Sequence, residues 1–305
     1  MIVVAGEALV DVVLDRFGGL TGHPGGGPYN VARTLGRLDQ PVVYLGRIST
    51  DRFGERLRKQ LEDDGVRLDA VVPTADPTTL AIAETDGRGS ATYRFYTAGT
   101  STPGLTAEDA LAALPERVAT LHVGTLGLVL EPIALALEAV IRQAPDETLV
   151  ALDPNCRPAM VNDVPAYRER LARIIGRTDL LKASEDDLAW LAPDQDPCAA
   201  ARDLLREGPT VAVVTRGSRG AVVVTPSETI PVPGVPVEVV DTIGAGDAFG
   251  GALIAWWHDH GLGRTDLSDR DAVLEATGFA CLVAARTCER AGAAPPRASE
   301  LAPRG

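Results

Sequence analysis

Short apolar runs and helix-period segments alternate along this chain from end to end, and that alternation constrains its fold more than any other feature. The strand-like runs are IVVAGEALV, PVVYLG, TLHVGTL, TLVALD, TDLLKA and TVAVVT. Between them, Val31, Leu35 and Leu38 recur at helical spacing, as do Phe53, Leu57 and Leu61, a series that Gly65 ends. Thr106 with Asp109, and Ser268 with Asp271, read as caps that open further helices, an aspartate standing where Glu or Gln is commoner. EPIALALEAVIRQA is an amphipathic helix. Strands that alternate with helices pack as a mostly parallel sheet covered on both faces. With 305 residues, 45% of them apolar, the chain can bury a sizeable core within one large α/β unit.

Two stretches break the alternation. TLAIAETDGRGSATYRFY, residues 79–96, alternates with period two around Gly87 and Gly89, as a hairpin does. VVLDRFGGLTGHPGGG follows the first strand with no helix. Together they predict a small antiparallel sheet outside the main one, placed to cover a site or to meet a second copy of the chain. Another hairpin, GAVVVTPSETIPVPG, lies late in the sequence. No repeat, low-complexity tract or long linker divides the chain.

No segment approaches the roughly 20 uninterrupted apolar residues of a membrane span. The opening MIVVAGEALVDVVLD lacks a basic region and carries Glu7 and Asp11 inside its apolar run, so it does not read as a secretory signal. Cys156, Cys198, Cys281 and Cys288 form no CxxC pair and have no histidines at metal-ligand spacing, which fits free thiols in a reducing cytoplasm. Net charge is −13, and no Lys/Arg block offers the basic face that nucleic acid needs. A small phosphorylated ligand stays compatible with that charge, because backbone dipoles can hold an anion inside an acidic protein.

Residues Asp241 to Leu253 read DTIGAGDAFGGAL. VEVVDT is β-like and AFGGALIAWW is an apolar helix, so IGAGD is predicted to be the turn where a strand enters a helix. The first N–H groups of a helix lack internal partners and lie at the positive end of its dipole. Gly244, Ala245 and Gly246 would leave those donors bare to an approaching anion. Asp247 stands at the edge of that pocket. A carboxylate beside an anion is costly unless it takes a proton, as a general base does when a hydroxyl attacks a phosphoryl group. The plainer alternative is a glycine-rich helix start with Asp247 as a first-turn acid.

The full string DTIGAGD resembles the signature of the ribokinase-like (PfkB-type) carbohydrate kinases, and the resemblance covers nearly the whole chain. GEALVD is similar to the opening of the fructokinase branch, and GGGPYNVARTLGRL to the family's N-terminal glycine motif. DPNCRP, KASEDDL, VVTRGSRGA and TCERAGAAPP follow in the family's order. The resemblance implies a three-layer α/β/α fold with a mostly parallel central sheet and a small β lid, the lid built from about residues 11–25 and 72–101 of a single domain spanning 1–305. It implies transfer of the γ-phosphoryl group of ATP to a sugar hydroxyl, with Mg²⁺ and often K⁺ present.

By the same resemblance Asp247 is the catalytic base, and Gly244, Ala245 and Gly246 form the anion hole. Asp11, Gly26, Gly27 and Asn30 match sugar-binding positions, a set of carboxylate, amide and bare backbone that suits a polyol. Asn30 equally fits a helix cap. Arg94 in YRFY matches a basic residue near the sugar, with an edge-strand charge as the alternative. Arg157 in DPNCRP follows a strand end, where its guanidinium grips a phosphate or makes a surface ion pair. Thr215, Gly217 and Gly220 in TRGSRG, with Ser184 and Gly246, fall at nucleotide-contacting positions, although TRGSRG also suits a hairpin entry. The helix GFACLVAARTC would wall the adenine. A K⁺ site is implied at the backbone carbonyls of Asp241, Ile243, Thr287, Arg290 and Gly292. One departure stands out. Where many members carry Asn-x-x-Glu to assist the metal, this chain has Ser184-Glu185-Asp186-Asp187, whose outer residues also suit a capping-box-like pair.

GEALVD, GGGPYNVA and YRFY point to a primary hydroxyl of fructose as acceptor; ribose, 2-keto-3-deoxygluconate or a nucleoside are alternatives on the same scaffold. A dinucleotide oxidoreductase fits poorly, because the first strand leads into GEALVDVVLD and not into GxGxxG and a helix. A silent binder of sugar or nucleotide is the third reading, separated from a kinase by sugar-dependent ATP consumption. The strand edges of the lid also suit pairing with a second copy, a homodimer.

Overall fold

The computed structural model describes residues 1–14, 18–85 and 91–301. Its strands are β1 (Ile2–Ala5), β2 (Leu9–Leu14), β3 (Leu20–Gly25), β4 (Val42–Ser49), β5 (Val71–Thr74), β6 (Leu80–Thr85), β7 (Ala91–Tyr96), β8 (Thr120–Gly124), β9 (Leu149–Asp153), β10 (Leu180–Ser184), β11 (Val211–Thr215), β12 (Ala221–Val224) and β13 (Thr229–Val232). The helices are α1 (Gly27–Arg37), α2 (Arg52–Asp63), α3 (Ala107–Ala113), α4 (Ile133–Gln143), α5 (Val164–Ile175), α6 (Glu185–Leu191), α7 (Pro197–Leu205), α8 (Ala245–Asp259), α9 (Arg270–Cys288) and α10 (Ala298–Leu301).

Nine strands make the main sheet, in the order β13-β12-β11-β10-β9-β8-β1-β4-β5. Pairing is parallel throughout except at β12 and β13, the late hairpin, which close one edge antiparallel. Alternate residues of β1 feed opposite cores: Ile2 and Val4 pack with Tyr29, Leu35 and Leu253, whereas Val3 and Ala5 pack with Leu137, Leu171 and Leu181. That period-two split, with helices on both faces, is the three-layer arrangement the alternation predicts.

The run IVVAGEALV is two strands and not one. Gly6, at φ 152°, lets the chain leave the main sheet after Ala5, and β2 enters a separate four-stranded sheet ordered β3-β2-β6-β7. This lid is mixed: β2 pairs antiparallel with β3 but parallel with β6. Its expected hairpin is present as β6 and β7, whose tip with Gly87 and Gly89 lies outside the described residues. Strand β5 belongs to the main sheet beside β4, so the lid takes its second arm only from Leu80 onward.

Two local expectations change. Helix α9 is capped by Asp269, whose side chain accepts from the amides of Asp271 and Ala272, in place of Ser268. VEVVDT is not a strand: residues 233–242 are irregular, no strand among the described residues pairs with them, and Val239 and Val240 are exposed. The β-like alternation was real, but a strand needs a partner edge.

Candidate active site

Helix α8 starts at the end of that irregular segment. Gly244 is its N-cap in the left-handed region at φ 75°, and a Cβ there would press on Ala293, so two independent constraints require glycine. The amide of Ala245 turns back to the Thr242 carbonyl at 3.2 Å. The amides of Gly246 and Asp247 follow as first-turn donors, which have no acceptor four residues back inside the helix. Asp247 is buried at the third helical position, and its Oδ2 accepts from Asn30 Nδ2 at 2.9 Å. Asn30 therefore bonds across the molecule from α1, and caps nothing with its side chain.

Behind the helix start lies a buried ion pair. Lys182, on β10, donates from Nζ to Asp153 Oδ2 at the end of β9, at 2.6 Å. A Cβ on Gly246 would stand 3.4 Å from that Nζ, so the ammonium lies against the turn. Burial works most strongly against the Lys182 charge, but Asp153, Asp187 and Asp247 together outweigh it and leave the ammonium above the ordinary lysine range. Burial likewise pushes the Asp153 carboxyl up to about 6, against Lys182. It raises Asp247 too, opposed by the Asn30 amide, Lys182 and Arg157. In Asp11 burial, helped by the Asp247 charge and opposed by Arg157, raises the carboxyl to about 6. These are carboxylates held closer to proton uptake than solvent would allow.

The structure gathers most of the expected acceptor side. Gly26, at φ 111°, and Gly27 form the entry of α1; a Cβ on Gly26 would stand 2.6 Å from the Glu7 carbonyl, and one on Gly27 would strike Thr125. The Arg157 guanidinium is held by the backbone and side-chain oxygens of Asn155 at 2.9 and 2.7 Å, not by a surface carboxylate. Arg94 falls elsewhere. Strand register aligns Asp11 with His23, Ala81 and Phe95 on one lid face, while Arg94 aligns with Ile82 and Val12 on the other. Arg94 and Asp11 thus lie on opposite faces of the lid.

Thr215, Gly217, Gly220, Ala245 and Gly246 line a trough of about 560 Å³, walled by Cys281, Ala284, Ala285 and Cys288 of α9, as GFACLVAARTC suggested. Ser184 does not line it. Its hydroxyl accepts from the Asp187 amide and donates to Asp187 Oδ2 at 2.6 Å, a full capping box on α6. Asp187 Oδ1 accepts from the Cys156 amide, so this carboxylate is committed to backbone and hydroxyl donors. Beside the trough, the Asp241 carboxylate accepts from the amides of Ile243 (3.0 Å) and Gly292 (2.8 Å), drawing together the two segments of the expected K⁺ site. Thr287 and Arg290 are joined by a backbone bond in the same turn.

Sequence reasoning passed over Lys182, Asp153 and Glu7. Each had a faint signal: a lysine inside the apolar run TDLLKA, an aspartate ending TLVALD, and a glutamate at the end of the first strand. Buried charge in a strand core has to be matched.

Amide donors at a helix start, a buried carboxylate opposite a polar cleft and an apolar trough leading to the same point are the parts of a phosphotransferase that acts on an alcohol. The chain belongs to the pfkB family of carbohydrate kinases, whose description matches residues 1–299. It is 34% identical over 259 residues to a fructokinase of Rhizobium leguminosarum bv. trifolii, covering 84% of this chain and 79% of the relative. The fructokinase of Xylella fastidiosa, solved with bound ATP, superposes with a TM-score of 0.89 at 26% identity, covering 98% of this chain and 96% of that one. A Vibrio cholerae O395 fructokinase bound to fructose, ADP and calcium ion gives a TM-score of 0.83 at 27% identity, over 96% and 94% of the two chains.

Proposed function

We propose that this chain is a fructokinase, transferring the γ-phosphoryl group of ATP to a primary hydroxyl of D-fructose. The observation that carries the reading is the buried contact of Asn30 with Asp247: it aims this carboxylate at the cleft between α1 and α8, next to the amide donors. Asp247 Oδ1 is left to receive the hydroxyl proton as that oxygen attacks phosphorus in line. The amides of Gly246 and Asp247, with the Lys182 ammonium behind them, offset charge on the migrating group. Asp11, Gly27 and Arg157 surround the sugar, and the lid shields it from water. ATP lies in the trough with its base against α9; a structural relative solved with bound ATP supports nucleotide binding.

Asp153 Oδ1 is buried with no hydrogen-bond partner, an oxygen that suits a water carried by Mg²⁺; Asp187 is spent on its capping box. When bound with the nucleotide, Mg²⁺ neutralises phosphate charge. The carbonyls around Asp241 and Gly292 suit K⁺, tested by turnover in K⁺ against Na⁺. Leu20 and Tyr96, 68% and 54% exposed on the two edge strands of the lid, suit contact with a second copy, tested by light scattering.

An ADP-release assay across D-fructose, D-ribose and 2-keto-3-deoxygluconate decides the acceptor. Fructose is expected to give the highest kcat/KM by at least tenfold. Turnover preferring ribose would replace the acceptor, and ATP consumption indifferent to sugar would remove the kinase reading.

A further inference from the structure

We propose that Glu7 is a positioning residue that sets the acceptor cleft by tying its two walls to the end of β1. The inference rests on the fructokinase reading and deepens it. Glu7 is 1% exposed, directly after the glycine at which the chain leaves the main sheet. Its Oε1 accepts from the Gly27 amide at 3.0 Å, and its Oε2 from the Gly127 amide at 3.1 Å.

Those two amides belong to different walls. Gly27 opens α1, which carries Asn30 three residues on. Gly127 lies in the turn Thr125–Leu128, where Thr125 Oγ1 accepts from Asn155 Nδ2 at 3.3 Å, and Asn155 in turn holds the Arg157 guanidinium. One carboxylate thus fixes the helix that aims Asp247 and the loop that aims Arg157. Steric fit repeats the coupling: a Cβ on Gly6 would stand 2.9 Å from Pro28 Cβ, and one on Gly127 would stand 3.3 Å from Gly6 Cα. The two walls close on the Gly6–Glu7 corner with no slack for a side chain.

An acceptor-only carboxylate serves two N–H donors; a carboxamide cannot, because its NH₂ meets one of them donor to donor. Glu7→Gln leaves one wall unpinned while conserving shape. Glu7→Asp keeps both acceptors but, one methylene shorter, spans only one wall. Neither change reaches the trough.

The test is steady-state kinetics of the full chain carrying Glu7→Gln and, separately, Glu7→Asp, with D-fructose and ATP varied in turn. Nucleotide affinity is read independently by titrating a fluorescent ATP analogue without sugar. KM for fructose is expected to rise tenfold or more in both variants, with the ATP KM and the analogue affinity within about twofold of the parent. Fructose KM unchanged, or both KM values and the analogue affinity shifting together, would overturn the positioning role. If one variant fails to fold, the other carries the same readout. A parent chain that consumes no ATP with any sugar refutes the kinase reading instead; fructose-dependent parent turnover with silent Glu7 variants refutes only this inference.

Discussion

The two halves of the cleft are built from different materials. The acceptor half is made of side chains: the buried, hydrogen-bonded pairs Asn30–Asp247 and Lys182–Asp153, with the partly buried Asp11 and Arg157 beside them. The nucleotide half is made of backbone and small residues, with Thr215, Gly217, Gly220, Ala284 and Ala285 around an apolar trough. Chemistry at a phosphorus atom needs charges at fixed points, and fixed points need interlocked partners. Holding a flat aromatic base needs only shape and apolar contact. Substitutions in the first half should therefore change turnover, and those in the second should change nucleotide affinity alone.

Asp247→Asn should produce the largest effect. The variant keeps an oxygen for the Asn30 amide but loses the proton acceptor, so kcat is expected to fall by about 10²–10⁴-fold while ATP binding stays near that of the parent. Steady-state kinetics with a nucleotide titration checks it, and near-parent turnover would strip Asp247 of its role. Lys182→Met comes next, at roughly 10²-fold in kcat, because a charge beside the transferred group is lost. Asp153, already raised to about 6, can take a proton when its partner goes, so the variant is expected to fold. A folded Lys182→Met with unchanged kcat would reduce the pair to a structural one.

Ala285→Phe probes the other half. A ring on α9 would fill part of the trough and is expected to cost about 1–3 kcal/mol of nucleotide binding, roughly 5–150-fold in ATP KM, with the fructose KM unmoved. A matching rise in both constants would dissolve the contrast between the halves.

That contrast also explains what the sequence disclosed. DTIGAGD and GGGPYN were readable because a positive-φ glycine beside a helix start, and polar groups next to it, leave residue types that few other structures need. Asn30 was ambiguous because the partner that decides its role lies 217 residues away. Lys182 and Asp153 look like ordinary strand residues until β9 and β10 are seen as neighbours. VEVVDT misled because alternation records exposure, not the presence of a pairing strand. Arg94 was ambiguous because motif position says nothing about which face of a strand a side chain takes.

The buried carboxylates of the acceptor half carry a linked cost. Burial raises Asp11 and Asp153 to about 6 from 3.8. Between the ordinary and raised values the folded chain holds protons that the unfolded chain has released. Their stabilising contribution is complete below the ordinary values and is lost as pH rises through about 6. The midpoint of thermal unfolding is thus expected to decline from pH 4 to pH 7 in scanning calorimetry. A rising midpoint over that window would mean that these groups are solvated or paired in the folded chain.

The smallest effect expected is at Ser184, which resemblance assigned to the nucleotide and which the structure assigns to α6. Its hydroxyl is wholly engaged with Asp187, one bond accepted and one donated, and it stands off the trough. Ser184→Ala should cost about 1 kcal/mol of stability, the ordinary value of a helix cap, and leave the ATP KM within about twofold. Denaturant unfolding and steady-state kinetics on one preparation separate the two quantities. A tenfold higher ATP KM at unchanged stability would return the serine to the nucleotide half, and would show that a side chain, and not only backbone, reaches the phosphates from that side.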